Sequence, residues 1–120
     1  MNDSDYEPST WCVLQPDGRV EHQPGPASNT AIRKALGGYQ PAAINLDPIV
    51  DAHVHAWRTG VTVEAEANYP ARALLAAWLR EPPGFTLQGP VVLSGVDGEG
   101  LPIDVLERLA AFDARARNVA

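Results

Sequence analysis

The chain has little of what usually announces chemistry or compartment. Cys12 is its only cysteine, so an intrachain disulfide is excluded and a reducing compartment is expected. Lys34 is the only lysine among nine basic residues, which face fifteen acidic ones and leave a net charge of −6. Such a shortage of cations argues against direct binding to nucleic acid or to an anionic membrane, where Lys and Arg must meet phosphates. No apolar run approaches the roughly 18 residues of a membrane span. The opening residues Met1 to Glu7 are acidic and polar, unlike a signal peptide, so a cytoplasmic location is expected. Neither a phosphate-binding G-x-x-x-x-G-K-[ST] loop nor a G-x-S-x-G nucleophile turn occurs. Gly95 to Gly100 offers acidic oxygens without the ligand order of a calcium loop, and reads as a turn. No cofactor is expected.

What is present suits one ordinary domain. The 120 residues are 45% hydrophobic and 20% charged, enough for a single modest core. Residues 1–9 read as a flexible acidic tail and 10–117 as one domain. Cys12, within Trp11-Cys12-Val13-Leu14, reads as a buried apolar filler, since a nucleophile would need His22 or His53 brought beside it. Thr10 to Gln15 and Arg19 to His22 read as a hairpin around Pro16-Asp17-Gly18. Ser28 or Asn29 caps a short helix through Leu36, closed by Gly37. Tyr39 to Leu46 and Ile49 to Trp57 read as strands separated by Asp47-Pro48, and 61–63 as a further short strand. Asn68 caps a helix running to Arg80, with Leu74, Leu75, Trp78 and Leu79 as its buried stripe. Phe85 to Val96 reads as a strand broken at Gly89-Pro90, whose apolar run Val91-Val92-Leu93 predicts cover on both faces. A last helix from Pro102 turns Leu106, Leu109, Ala110 and Phe112 inward, with Arg115 and Arg117 favouring its C-terminal end. The expected fold is α+β: a small two-layer sandwich, mostly antiparallel sheet with two or three helices packed on one face.

One cluster looks like chemistry. If Ile49 to Trp57 is extended, Asp51, His53 and His55 project from one face, a partial metal site of two imidazoles and a carboxylate. The segment resembles the first metal-binding strand of the amidohydrolases. That (β/α)₈ barrel needs about 250 residues and further ligands, whereas no histidine follows His55 and Lys34 lies upstream. The H-x-H strand of the cupins also fails, because Glu64 falls too far along and His22 lies upstream. The residues therefore favour no catalytic or metal role, with Asp51, His53 and His55 the candidate ligands if a metal is bound. The preferred alternative is a partner-binding face built from Tyr39, Asp51, His53, His55, Trp57 and Arg58, because interfaces enrich aromatics and Arg.

As a whole the chain resembles the uncharacterised family catalogued as domain of unknown function 3846, found in bacteria, phages and plasmid-borne genes. The resemblance covers about residues 10–106. It is carried by Pro16-Asp17-Gly18, Gly37-Gly38-Tyr39, a strand pair, Asn68-x-x-Ala71 opening a leucine-bearing helix, and Gln88-Gly89-Pro90-Val91-Val92-Leu93. The chain departs at Thr62 to Ala67, where the family often carries an Asn-Glu-Glu-Gly-like segment. The resemblance implies no activity; its mobile-element setting implies an accessory binding protein. The expected function is thus that of a small acidic, non-enzymatic intracellular protein that binds a protein or macromolecular partner. One alternative is a metal-dependent enzyme on the Asp51/His53/His55 strand. Another is an inhibitor that mimics nucleic-acid charge, although no ordered acidic run at phosphate-like spacing is present.

Overall fold

The turn at Pro16-Asp17-Gly18 begins the fold. Gly18 takes a left-handed conformation, φ +95°, that side chains with a Cβ resist. Its N–H donates to the Gln15 carbonyl, and the Gln15 N–H donates to the Arg19 carbonyl, each at 2.9 Å. Asp17 accepts the Arg19 backbone N–H at 2.9 Å, which holds its carboxyl below the ordinary carboxylate pKa. The turn joins β1 (Trp11–Leu14) to β2 (Val20–Gln23) in antiparallel register, Trp11 opposite Gln23 and Leu14 opposite Val20.

The computed structural model describes residues 11–24, 27–60, 64–81, 86–96 and 100–119, with side chains as far as Phe112. Three more strands, β3 (Pro41–Ala43), β4 (Val54–Thr59) and β5 (Val91–Gly95), complete a five-stranded antiparallel sheet of order β2-β1-β5-β4-β3. Four helices accompany it among the described residues: α1 (Asn29–Ala35), α2 (Pro48–Asp51), α3 (Tyr69–Leu75) and α4 (Ile103–Val119). The fold is α+β, built on an antiparallel sheet as the sequence predicts.

Alternation along the strands divides the core. Cys12, Leu14, Val54, Ala56, Val91 and Leu93 face Ala71, Leu74 and Leu75 of α3, and Leu101, Val105 and Leu109 at and within α4. Val50 of α2 packs on the same side. On the opposite face a smaller cluster joins Trp11, Val13 and Val92 to Ile32 and Leu36, so α1 covers that side. Central strand β5 is therefore enclosed twice, and Val91, Val92 and Leu93 are fully buried.

Asn68 ties this architecture together. Its side-chain oxygen accepts the Ala71 N–H at 3.0 Å and caps α3. Its amide nitrogen donates to the Leu14 carbonyl at 2.9 Å and to the Gly89 carbonyl at 2.7 Å. One side chain thus joins the end of β1, the start of α3 and the approach to β5.

Several sequence expectations are corrected. Ile49 to Asp51 is not extended, because Asp47 caps α2 by accepting the Ile49 N–H at 2.9 Å and Pro48 occupies its first turn. Strand β4 then starts at Val54 and runs past Trp57 to Thr59. The extended segment from Tyr39 shrinks to β3, although the Ile44 N–H still reaches the Ala56 carbonyl at 2.9 Å. Helix α3 ends at Leu75 rather than Arg80. The following turn leaves the helix to pair Leu79 with Leu46. There the Asp47 N–H meets the Trp78 carbonyl at 2.7 Å and the Arg80 N–H meets the Asn45 carbonyl at 3.0 Å. In α4, Leu109 is buried and Leu106 and Phe112 half-buried, but Ala110 is exposed. The predicted tail at 1–9, the strand at 61–63 and the side chains of Arg115 and Arg117 lie outside the described residues.

Candidate functional site

Because α2 replaces the first half of the expected histidine strand, Asp51, His53 and His55 do not share a face. Asp51 ends α2 and is exposed. His53 lies in the following turn, its N–H donating to the Val50 carbonyl at 2.9 Å. His55 sits inside β4 opposite Ser94 of β5, on the side covered by α1. Its ring meets Trp57 edge to face, with centroids 5.9 Å apart and planes at 89°. The Trp57 indole N–H donates to the Ser94 hydroxyl at 3.0 Å. Arg58, one residue on, turns to the other face and donates to the Thr59 carbonyl at 3.1 Å. Tyr39 is exposed, its ring lying over Gly37. The six residues expected to form one partner-binding face are therefore distributed over different sides of the molecule. Among the described residues, no three His, Cys, Asp or Glu side chains converge as a metal site would require. No described helix is long and apolar enough to cross a membrane.

Cys12 is fully buried in the larger core cluster. Burial pushes its thiol pKa from 9.0 up to about 12, against a smaller opposing contribution from a hydrogen bond with the Leu93 backbone. A neutral thiol is a poor nucleophile, and the raised value also makes stability depend on pH. Because the folded value lies above the unfolded one, the stabilisation is complete below pH 9 and is lost as pH rises towards 12. Each pH unit in that window removes about 1.4 kcal/mol. Urea melts from pH 9 to 11 should fall more steeply for the native chain than for Cys12→Ala; parallel slopes would show that the thiol does not ionise on unfolding.

A concave surface that no motif signals lies beside the expected histidine strand. A groove of about 420 Å³ lies between α2 and the first turns of α4. Ile49, Val50, His53, Val54, Trp78, Pro102, Asp104 and Val105 line it. Val54 and Val105 are buried core residues and Val50 and Trp78 pack half-buried against that core, so the floor is apolar. Ile49 is 79% exposed, and Ile103, between the lining residues Pro102 and Asp104, is 73% exposed. Both isoleucines follow a proline at a helix start, out of phase with the buried stripe. That mismatch was the signal available in Pro48-Ile49 and Pro102-Ile103. Comparison of the chain with protein-family models, curated proteins and solved structures finds no match.

Proposed function

We propose that this chain is a non-enzymatic binding protein, and that its α2–α4 groove receives a protein partner. The observation that carries the reading is exposed Ile49 lining a groove with an apolar floor, with exposed Ile103 next to its lining residues Pro102 and Asp104. Burying an isoleucine stabilises by about 1.5–3 kcal/mol, so a partner covering both gains a substantial driving force. Apolar surface gathered around a groove is a feature of interaction sites more than of inert surface. The resemblance to the domain of unknown function 3846 family implies no activity, and its mobile-element setting is compatible with an accessory binding protein by analogy alone. A lone cysteine suits a cytoplasmic setting. The metal-dependent alternative draws less support, since His53 lines the groove while His55 belongs to the opposite side of the sheet.

Site-specific photo-cross-linking tests the proposal. A photoreactive residue at position 49 should give a discrete adduct in extract of the source cells. The same residue at position 33, on the exposed side of α1, should not. No adduct from position 49, or the same adducts from both positions, would overturn the groove reading.

A further inference from the structure

Resting on that groove reading, we infer that the partner segment is a cationic amphipathic helix. Among the described lining side chains only His53 and Asp104 are ionisable, and none is Lys or Arg. Asp104 and Glu107 lie three residues apart on α4, hence on neighbouring positions of one helix side, and both are exposed. Exposed Asp51 ends the helix that forms the other wall. None of the three forms an ion pair among the described residues. The neighbouring cation Arg108 is already engaged. Its guanidinium stacks over Trp78 at 4.9 Å from the ring centroid and donates to the Leu74 carbonyl at 3.2 Å. The charge left at the rim is therefore negative, on a chain of net charge −6.

The walls also decide the partner's backbone. Adding a strand needs a length of open sheet edge, but β4 reaches the groove floor only at its first residue, Val54, which pairs with Gly95 of β5, and the walls are helical. The groove is bounded by α2 and α4: exposed Ile49 lines one wall, and exposed Ile103 adjoins the lining residues Pro102 and Asp104 of the other. A helix satisfies its own backbone hydrogen bonds and presents apolar residues at i, i+3, i+4 and i+7 to such a groove. Lys or Arg flanking that stripe would meet Asp104, Glu107 and Asp51.

Two synthetic helical peptides of about 14 residues, with identical leucine positions and either lysine or glutamate elsewhere, test this by calorimetry at low and high salt. The lysine peptide should bind at least about tenfold more tightly, and the preference should shrink with salt. Asp104→Lys combined with Glu107→Lys should reverse the order. The equal charge change Asp17→Lys with Glu21→Lys, at the distant β1–β2 hairpin, should not. Ile49→Ser should weaken both peptides about tenfold, with the fold checked by circular dichroism. Equal binding of both peptides, or a lysine preference that survives the α4 reversal, overturns the inference. If neither peptide binds but position 49 still cross-links to a cellular protein, the charge inference falls while the groove reading stands. If cross-links are missing as well, both fall.

Discussion

Asn68→Ala is expected to lower the unfolding free energy by about 3 kcal/mol, read as a reduced midpoint in urea denaturation with unchanged slope. Asn68 is 1% exposed, so nothing in solvent replaces its three side-chain hydrogen bonds. Loss of an N-cap alone costs about 0.5–2 kcal/mol. Depriving a buried donor or acceptor of its partner costs about 1–3 kcal/mol more. Asn68→Asp separates the cap from the two donated bonds. The new carboxyl can still accept from Ala71, but an ionised oxygen would face the Leu14 and Gly89 carbonyls in a buried site. That substitution should therefore be at least as damaging at pH 7, and partly relieved at low pH, where a protonated carboxyl donates one bond. A loss under about 1 kcal/mol for Asn68→Ala would show that the cap is dispensable.

Leu93→Ala is expected to cost about 3–4 kcal/mol by the same measurement. Leu93 is fully buried in β5, beside Cys12 of β1 and Ala56 of β4, and it faces the larger core cluster under α3 and α4. Truncation removes burial and leaves a cavity that the hydrogen-bonded strands on either side cannot collapse to fill. Val92→Ala, one residue away, removes fewer atoms from the smaller cluster beneath α1 and should cost visibly less. Equal losses would mean that the α1 side is packed as tightly as the other.

Much of this scaffold is written locally in the sequence. Pro16-Asp17-Gly18, the Ser28 cap, the positive-φ Gly37 and the Asn68 cap each act within a few residues of themselves. The run Val91-Val92-Leu93 signalled two-sided cover, and α1 supplies the second side. The candidate site was less legible because it turned on an ambiguous pair. Asp47-Pro48 suits a turn between strands, but an Asp cap followed by a first-turn proline equally opens a helix. Read as a turn, the pair puts Asp51 and His53 on a strand face; as a helix start, it puts Asp51 in α2 and His53 in the turn after it. The early end of α3 was hidden for another reason: its competitor is the distant segment Asn45-Leu46-Asp47, whose pairing with Trp78, Leu79 and Arg80 no local pattern reveals.

The strand order carries a consequence for biosynthesis. The β1–β2 hairpin belongs to the early part of the chain and β3–β4 to its middle, yet they meet only through β5, at residues 91–95. A nascent polypeptide emerging from the ribosome would hold two separate ribbons, each marginal alone. Closure must wait until residues 91–95 have been synthesised. Such late, non-local pairing slows folding, and until β5 arrives the facing sides of Cys12–Leu14 and Val54–Trp57 are surfaces that a chaperone could occupy.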